Sequence, residues 1–302
     1  MSVWKILSGE FNKKFNFRYL RYRLFRENHE IKNWIQSSSS IRESYKISVV
    51  VPTYKINLFY VQDLIRTLNL QTYFNWELCV CDDGDADESV YRYLLKLEES
   101  QPEKFKVCRN PSNQGITKAT LEAVKLSSGD FVAFVDADDL LHIRALECIA
   151  RKLNENSDYD LIYTDHDKLT DWGWRYQPFR KPGWSPELLL NLNYINHLTV
   201  VRSSFLMDKI AVFGAAVDGA QDYTAVLEMG FSARRVGHVP LILYHWRMRE
   251  GSVAVNSSQK PWIRAAFVEN QKRFITSLSK DIAVLNENLR PKITPANQVQ
   301  IL

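Results

Sequence analysis

GDFVAFVDADD, residues 129–139, decides the fold. Phe131 to Val135 form an apolar run of strand length, rich in Val and Phe, as in a strand buried on both faces. The run stops at Asp136-Ala-Asp138-Asp139, so it delivers carboxylates to its own carboxyl end. Working outward, Ile47-Ser-Val-Val-Val-Pro52 and Trp76-Glu-Leu-Cys-Val-Cys81 are runs of the same kind, the second ending at Asp82-Asp83-Gly84. Phe105-Lys-Val-Cys108 and Asp160-Leu-Ile-Tyr163 complete the set. Between them, apolar residues recur at helical spacing: Leu58, Val61, Leu64, Ile65 and Leu68; Val90, Leu94 and Leu97; Ile116, Ala119, Ala123 and Val124; Leu141, Ala145, Cys148, Ile149 and Leu153. This alternation of strand and helix with short links predicts parallel βαβ units and a doubly wound α/β sheet. Such sheets bind ligands beyond the carboxyl ends of their strands, here Pro52-Thr53-Tyr54, Asp82-Asp83 and Asp136-Ala-Asp138.

After residue 165 the sequence turns Trp- and Pro-rich and irregular, with strand-like runs around 198–202 and 233–246 and a helical pattern over 261–280. The chain thus reads as a basic amphipathic extension over 1–46, a main domain over 47–280 and a weakly structured tail over 281–302. The extension holds ten Lys and Arg against four Asp and Glu, a balance of +6 within a whole-chain charge of +4. Its basic residues alternate with Trp4, Phe11, Phe15, Phe17, Tyr19, Tyr22 and Phe25. Two readings stand side by side: a helical extension packing on the main domain, and an amphipathic surface for peripheral contact with an anionic membrane. A nucleic-acid partner is not expected, because the rest of the chain offers no basic patch.

Only 11 glycines occur in 302 residues, and neither GxxxxGK[ST] nor GxGxxG is present, which removes the main support for P-loop and ordinary dinucleotide-binding readings. No apolar run approaches the ~20 residues of a membrane span. The opening MSVWKILSGEFNKK lacks the apolar core and cleavage site of a signal peptide, so a cytoplasmic location is expected. The four cysteines include no CxxC pair and read as reduced, partly buried small hydrophobes.

Carboxylates gathered at strand ends repel one another unless a cation sits among them, and Asp oxygens suit Mg²⁺ or Mn²⁺. Such an ion could in turn hold a diphosphate. The plainer explanations are a turn at Asp82-Asp83-Gly84 and helix capping by Asp138 or Asp139 ahead of Leu140-Leu141. Two acidic strand ends in one parallel sheet favour a site.

VVVPTYK (49–55), CVCDDG (79–84), NQGITKATLEA (113–123), GDFVAFVDADD (129–139), AQDY (220–223) and YHWR (244–247) together resemble family 2 glycosyltransferases of the GT-A fold. YTDHDK (163–168), KPGWSPELLL (181–190) and NYINHLTVVR (193–202) resemble a subgroup of bacterial, rhamnosyltransferase-like enzymes that build O-antigen and capsule. The resemblance implies an inverting, metal-dependent transfer from a UDP-, dTDP- or GDP-linked sugar to a glycan or lipid-linked acceptor at the inner face of the membrane. It would place Pro52, Tyr54 and Asp83 in the nucleotide pocket, with Asp82 supporting the turn. Asp136 would lie near the ribose and metal, and Asp138 on the metal. His245 would complete the shell of Mn²⁺ or Mg²⁺, and Asp222 would be the general base. Asp165, Trp184, His197 and Gln221 would fall on the sugar and acceptor side. Leu121 stands where many relatives have Asn, and Gln221 where the commoner residue is Glu. The alternative of a non-catalytic GT-A-like nucleotide- or glycan-binding module would be signalled by loss of the DxD or of Asp222, and both are present. A nucleotidyltransferase would need a glycine- and basic-rich loop after the first strand, which Pro52-Thr-Tyr-Lys-Ile-Asn57 is not.

Overall fold

A computed structural model describes residues 17–209 and 221–248, together with 271–272, 274–276, 292–293 and 299–300. The apolar runs form β1 (Ile47–Thr53), β2 (Trp76–Asp82), β3 (Phe105–Arg109) and β4 (Phe131–Phe134), parallel and in the order β3-β2-β1-β4. Register sets Thr53 level with Asp82, and Val50 level with Phe134, so the polar strand ends share one edge. The sheet continues through β8 (Thr199–Arg202), β6 (Leu161–Leu169), β9 (Val236–Arg247) and β5 (Leu140–Leu141), with β7 (Arg175–Phe179) paired to β6. β8 runs antiparallel to both β4 and β6, and β9 runs parallel to β6. β6 and β9 therefore point the same way as β1 to β4 and end on the same edge. This is the mostly parallel α/β sheet of the GT-A fold.

Alternation along the strands builds two cores. Ile47, Val49 and Val51 of β1, with Trp76, Leu78 and Val80 of β2, face α3 (Leu58–Asn69), α4 (Ser89–Ser100) and α6 (Ala145–Leu153). Val50, Cys79 and Cys81 face the other way, towards α5 (Ile116–Leu126), α7 (Pro186–Asn191), α8 (Ser203–Asp208) and α9 (Gln221–Ser232). Local signals set the helix starts. The Asn57 side chain accepts from Phe59 N–H at α3. Ser185 caps α7 by accepting from Leu188 N–H, with Pro186 in its first turn. Cys79, Cys81, Cys108 and Cys148 are all free thiols.

The helix expected from Leu141 begins at Ala145 instead. Leu140 and Leu141 pair with His245 and Tyr244 of β9, and neither Asp138 nor Asp139 caps a helix. The strand expected to stop at Tyr163 runs on to Leu169, because Asp165 and Asp167 find partners while paired to β9. Much of the 261–280 pattern and of the 281–302 tail lies outside the described residues; within the tail, Lys292–Ile293 pairs with Val299–Gln300.

The basic segment supplies α1 (Phe17–Phe25) and α2 (Glu27–Ser37). Ile31 of α2 is buried in the first core, while Tyr19 and Glu27 are buried against β6 and β7. The packing reading therefore describes α2, whose Ile31 enters the core, while α1 rests on the domain through Tyr19 and leaves Phe17, Leu24 and Phe25 exposed. No described helix is long and apolar enough to cross a membrane.

Candidate active site

Three strand ends and one long strand build the site. At the end of β2, Asp82 accepts from Gly84 N–H (3.2 Å) and Asp85 N–H (3.3 Å) and pairs with Arg109 (3.1 Å). Gly84 has φ 71°, and a Cβ there would lie 2.6 Å from the Ser112 backbone, so this turn requires glycine. Asp83 is buried and braces the next loop. Its oxygens accept from Asn110 Nδ2 (2.6 Å), Gln114 N–H (2.9 Å) and Gly115 N–H (2.9 Å). Tyr54, just past β1, is exposed, with Lys55 Nζ over its ring at 5.1 Å.

At the end of β4 the carboxylates converge with an imidazole. Asp136, Asp139 and His197 offer ligand atoms that all lie within 4.8 Å of one another. Asp139 is fully buried; Tyr244 Oη–H donates to its Oδ2, and Arg247 N–H donates to its Oδ1 at 2.6 Å. Asp136 N–H donates to Tyr244 Oη at 3.2 Å, which ties both aspartates to β9. Burial, then Asp136 and Asp138, push the Asp139 carboxyl well above its ordinary range. A cation among these groups would reverse that repulsion. Two hard oxygens and one neutral imidazole fit Mn²⁺, and Mg²⁺ less well.

His197 is held from two sides. Its ring stacks on Tyr244 (centroids 5.0 Å apart, 19°) and tilts against Trp246 (5.3 Å). Its backbone is held by Lys181, which is buried beneath the loop and donates from Nζ to the carbonyls of Ile195 (3.2 Å), Asn196 (2.7 Å) and His197 (2.8 Å). Lys181 N–H in turn donates to buried Asp165, which also bonds His238 Nε2 at 2.8 Å. Asp165 thus lies beneath the loop, while His197, expected on the acceptor side, joins the acidic group. Trp184 packs beside Gly230 of α9, in the position of a packing anchor.

Asp138 and His245 are not in the group of three. His245, expected in the metal shell, is turned towards Asp167: its Nδ1 bonds Asp167 Oδ1 at 2.7 Å. The physical reason is strand alternation, which puts Tyr244 and Trp246 on the His197 side and His245 on the other. Asp167 also accepts from Tyr19 Oη–H (2.5 Å) and Arg175 Nε (2.6 Å). Burial opposes ionisation of Asp167, but His245, Arg175 and Tyr19 overcome it and hold the carboxyl at about 2. Burial and then Arg175 lower the His245 pKa, against the pull of Asp167.

A cleft with about 650 Å³ of open space adjoins Asp136 and His197, lined also by Pro52, Thr117, Val226 and Met229. Gln221 and Asp222 begin α9, one turn ahead of Ala225 and Val226 on the cleft wall; their side chains lie outside the described residues. Sequence reasoning missed Lys181, although it begins the quoted KPGWSPELLL. It also missed Arg247, which donates to the Asp138 carbonyl (2.6 Å) and to Asp63 (2.9 Å), although Arg247 ends the quoted YHWR.

The family model described as glycosyl transferase family 2 matches residues 48–212. The chain is 34% identical over 222 residues to "Uncharacterized protein y4gI" of Sinorhizobium fredii, covering 73% of this chain and 24% of that protein. It is 32% identical over 208 residues to O-antigen biosynthesis protein RfbC of Myxococcus xanthus, covering 69% and 16%. The chain thus spans a quarter or less of the length of these relatives. Among solved structures, S. aureus TarS 1–349 in complex with UDP-GlcNAc superposes with a TM-score of 0.54 at 24% identity, covering 68% of this chain and 60% of that one, which shows a shared fold.

Proposed function

This chain belongs to glycosyl transferase family 2, and from that premise we propose that it transfers a sugar, of hexosyl type, from a nucleoside-diphosphate donor to a glycan or lipid-linked acceptor in the cytoplasm, with inversion at the anomeric carbon. The similarity to RfbC supports surface polysaccharide of the O-antigen type as the product. One observation carries the reading: Asp136, Asp139 and His197 converge at the carboxyl edge of the sheet, beside an open cleft.

Asp136, Asp139 and His197 would hold a divalent cation, with Asp138 beside them. When bound, that cation supplies positive charge for the diphosphate of the donor and of the departing nucleotide. The chain's own residues do the rest. Pro52, Tyr54 and the loop braced by Asp82 and Asp83 form the nucleotide side. Asp222, at the head of a helix that walls the cleft, takes the proton from the acceptor hydroxyl as its oxygen attacks the anomeric carbon. The bond from that carbon to the diphosphate oxygen breaks in the same displacement, and the diphosphate leaves with the electron pair. Gln221, next to Asp222 in the chain, would belong to the acceptor side.

The test is a panel of UDP-, dTDP- and GDP-sugars incubated with the chain and Mn²⁺, with release of nucleoside diphosphate measured and the configuration of the product read by NMR. One donor should be turned over, with inverted configuration and silence in chelator. No turnover of any donor, or turnover unaffected by chelator, contradicts the reading.

A further inference from the structure

α1 is built inside out. Its sequence, FRYLRYRLF, carries no acidic residue. Phe17, Arg18, Arg21, Leu24 and Phe25 fall at positions i, i+1, i+4, i+7 and i+8 and share one face about 120° wide. That face is turned to solvent: Phe17 is 76%, Leu24 65% and Phe25 75% exposed, Arg18 and Arg21 are exposed among them, and Arg26 is exposed just past the helix. The opposite face is anchored to the domain by polar groups. Tyr19 bonds Asp167, the Arg180 guanidinium lies over the Tyr22 ring at 5.1 Å, and Arg23 Nη1 donates to the Arg175 carbonyl at 3.4 Å. A helix that only packs on its domain turns its apolar residues inward, and a solvated helix does not expose three large ones together. Here the apolar residues point away from the domain and arginines surround them.

We infer that the outward face of α1 docks on the surface of an anionic lipid bilayer. Phe17, Leu24 and Phe25 enter the interface, and Arg18, Arg21 and Arg26 meet the lipid headgroups. Charge complementarity selects this occupant, because the charged residues of α1 are all arginines. Trp172, in the hairpin between β6 and β7, is a further large exposed side chain, 89% accessible. Tryptophan is a residue of membrane interfaces. The sequence ahead of α1 repeats the pattern with Trp4, Lys5, Phe11, Lys13, Lys14 and Phe15, which lie outside the described residues. The inference stands apart from the catalytic reading, since none of the residues on the exposed face of α1 belongs to the candidate active site.

Deleting residues 1–36 would be a poor test, because it removes Ile31 and Glu27 from buried sites. Point changes on the exposed face leave the core intact. The full chain is sedimented at low salt with vesicles of phosphatidylcholine alone and with phosphatidylglycerol mixed in, beside the variants L24S/F25S and R18Q/R21Q. The wild type should pellet only with the phosphatidylglycerol vesicles, and R18Q/R21Q should lower the partition coefficient on the order of 30-fold. L24S/F25S should lower it by a similar factor, with unchanged thermal midpoints for both variants. Nucleotide-sugar hydrolysis in vesicle-free buffer should be equal in all three proteins, so a failed transferase reading is seen separately. A wild type that stays in the supernatant, or pelleting unaffected by both variants, overturns the inference. So does a dimer in solution that L24S/F25S dissolves while vesicles are ignored, since the face would then be a protein interface.

Discussion

Replacing Arg175 with Met keeps most of the apolar stem and removes the guanidinium on which the N-terminal helices rest. That group bonds Asp167 through Nε at 2.6 Å and grips both oxygens of Glu27, at 2.5 and 3.0 Å. The side chains of Asp167 and Glu27 are only 0% and 8% exposed, so each loses its counter-ion where water cannot replace it. Breaking one partner out of a buried ion pair costs about 3–5 kcal/mol. A second route gives a comparable scale. Asp167 is held at about 2, down from an ordinary 3.8, a stabilisation on the order of 2–3 kcal/mol at neutral pH that Arg175 shares with His245 and Tyr19. Because that carboxyl is depressed on folding, its contribution is complete above about pH 4 and is lost as the pH falls towards 2. Urea unfolding followed by circular dichroism should therefore show Arg175→Met destabilised by about 3–5 kcal/mol at pH 7. The gap to the wild type should narrow between pH 4 and pH 2. A loss under about 1 kcal/mol, the size of a surface ion pair, would refute the reasoning.

Three further outcomes are expected. Asp222→Asn should keep donor binding and lower turnover by roughly 10²–10⁴, the worth of a general base, and normal turnover would make Asp222 structural. Lys181→Met removes three hydrogen bonds to carbonyls of the His197 loop, so the Mn²⁺ concentration for half-maximal turnover should rise, by up to about 150-fold if each lost bond is worth ~1 kcal/mol. An unchanged midpoint would separate Lys181 from the site. Burial, then His245, holds His142 down at about 3. The unfolded chain takes up a proton there below about pH 6.5 and the folded chain does not, so stability should fall with pH from 6.5 towards 3 at about 1.4 kcal/mol per pH unit. His142→Gln should flatten that slope in urea titrations, and an unaltered slope would contradict the assignment.

What could be read from the sequence divides along physical lines. β1, β2 and β4 were legible because a strand buried on both faces must be a short apolar run, and each ends at the polar residues that mark the edge. β7 was not, since Arg-Tyr-Gln-Pro-Phe is polar and pairs only because Arg175 finds buried carboxylates. Asp139 looked like a helix cap because capping is a local signal, whereas Tyr244 and Arg247, more than a hundred residues away, fix its place. The same separation hid Lys181. For His245, the alternation in Tyr244-His245-Trp246 was visible, but which side faced the site depended on β9 lying between β6 and β5. The basic and aromatic character of α1 was plain, while its inverted seating came from Asp167 and Arg175 on distant strands.

The most direct measurement is the electron paramagnetic resonance of free Mn²⁺ titrated with the chain and a nucleoside diphosphate (UDP, dTDP or GDP). The wild type should remove one Mn²⁺ per chain from solution, Asp136→Asn should remove none while keeping its circular dichroism, and His245→Gln should bind as the wild type does. Mn²⁺ binding that survives Asp136→Asn, or that disappears in a folded His245→Gln, would contradict a metal-nucleotide site built from Asp136, Asp139 and His197.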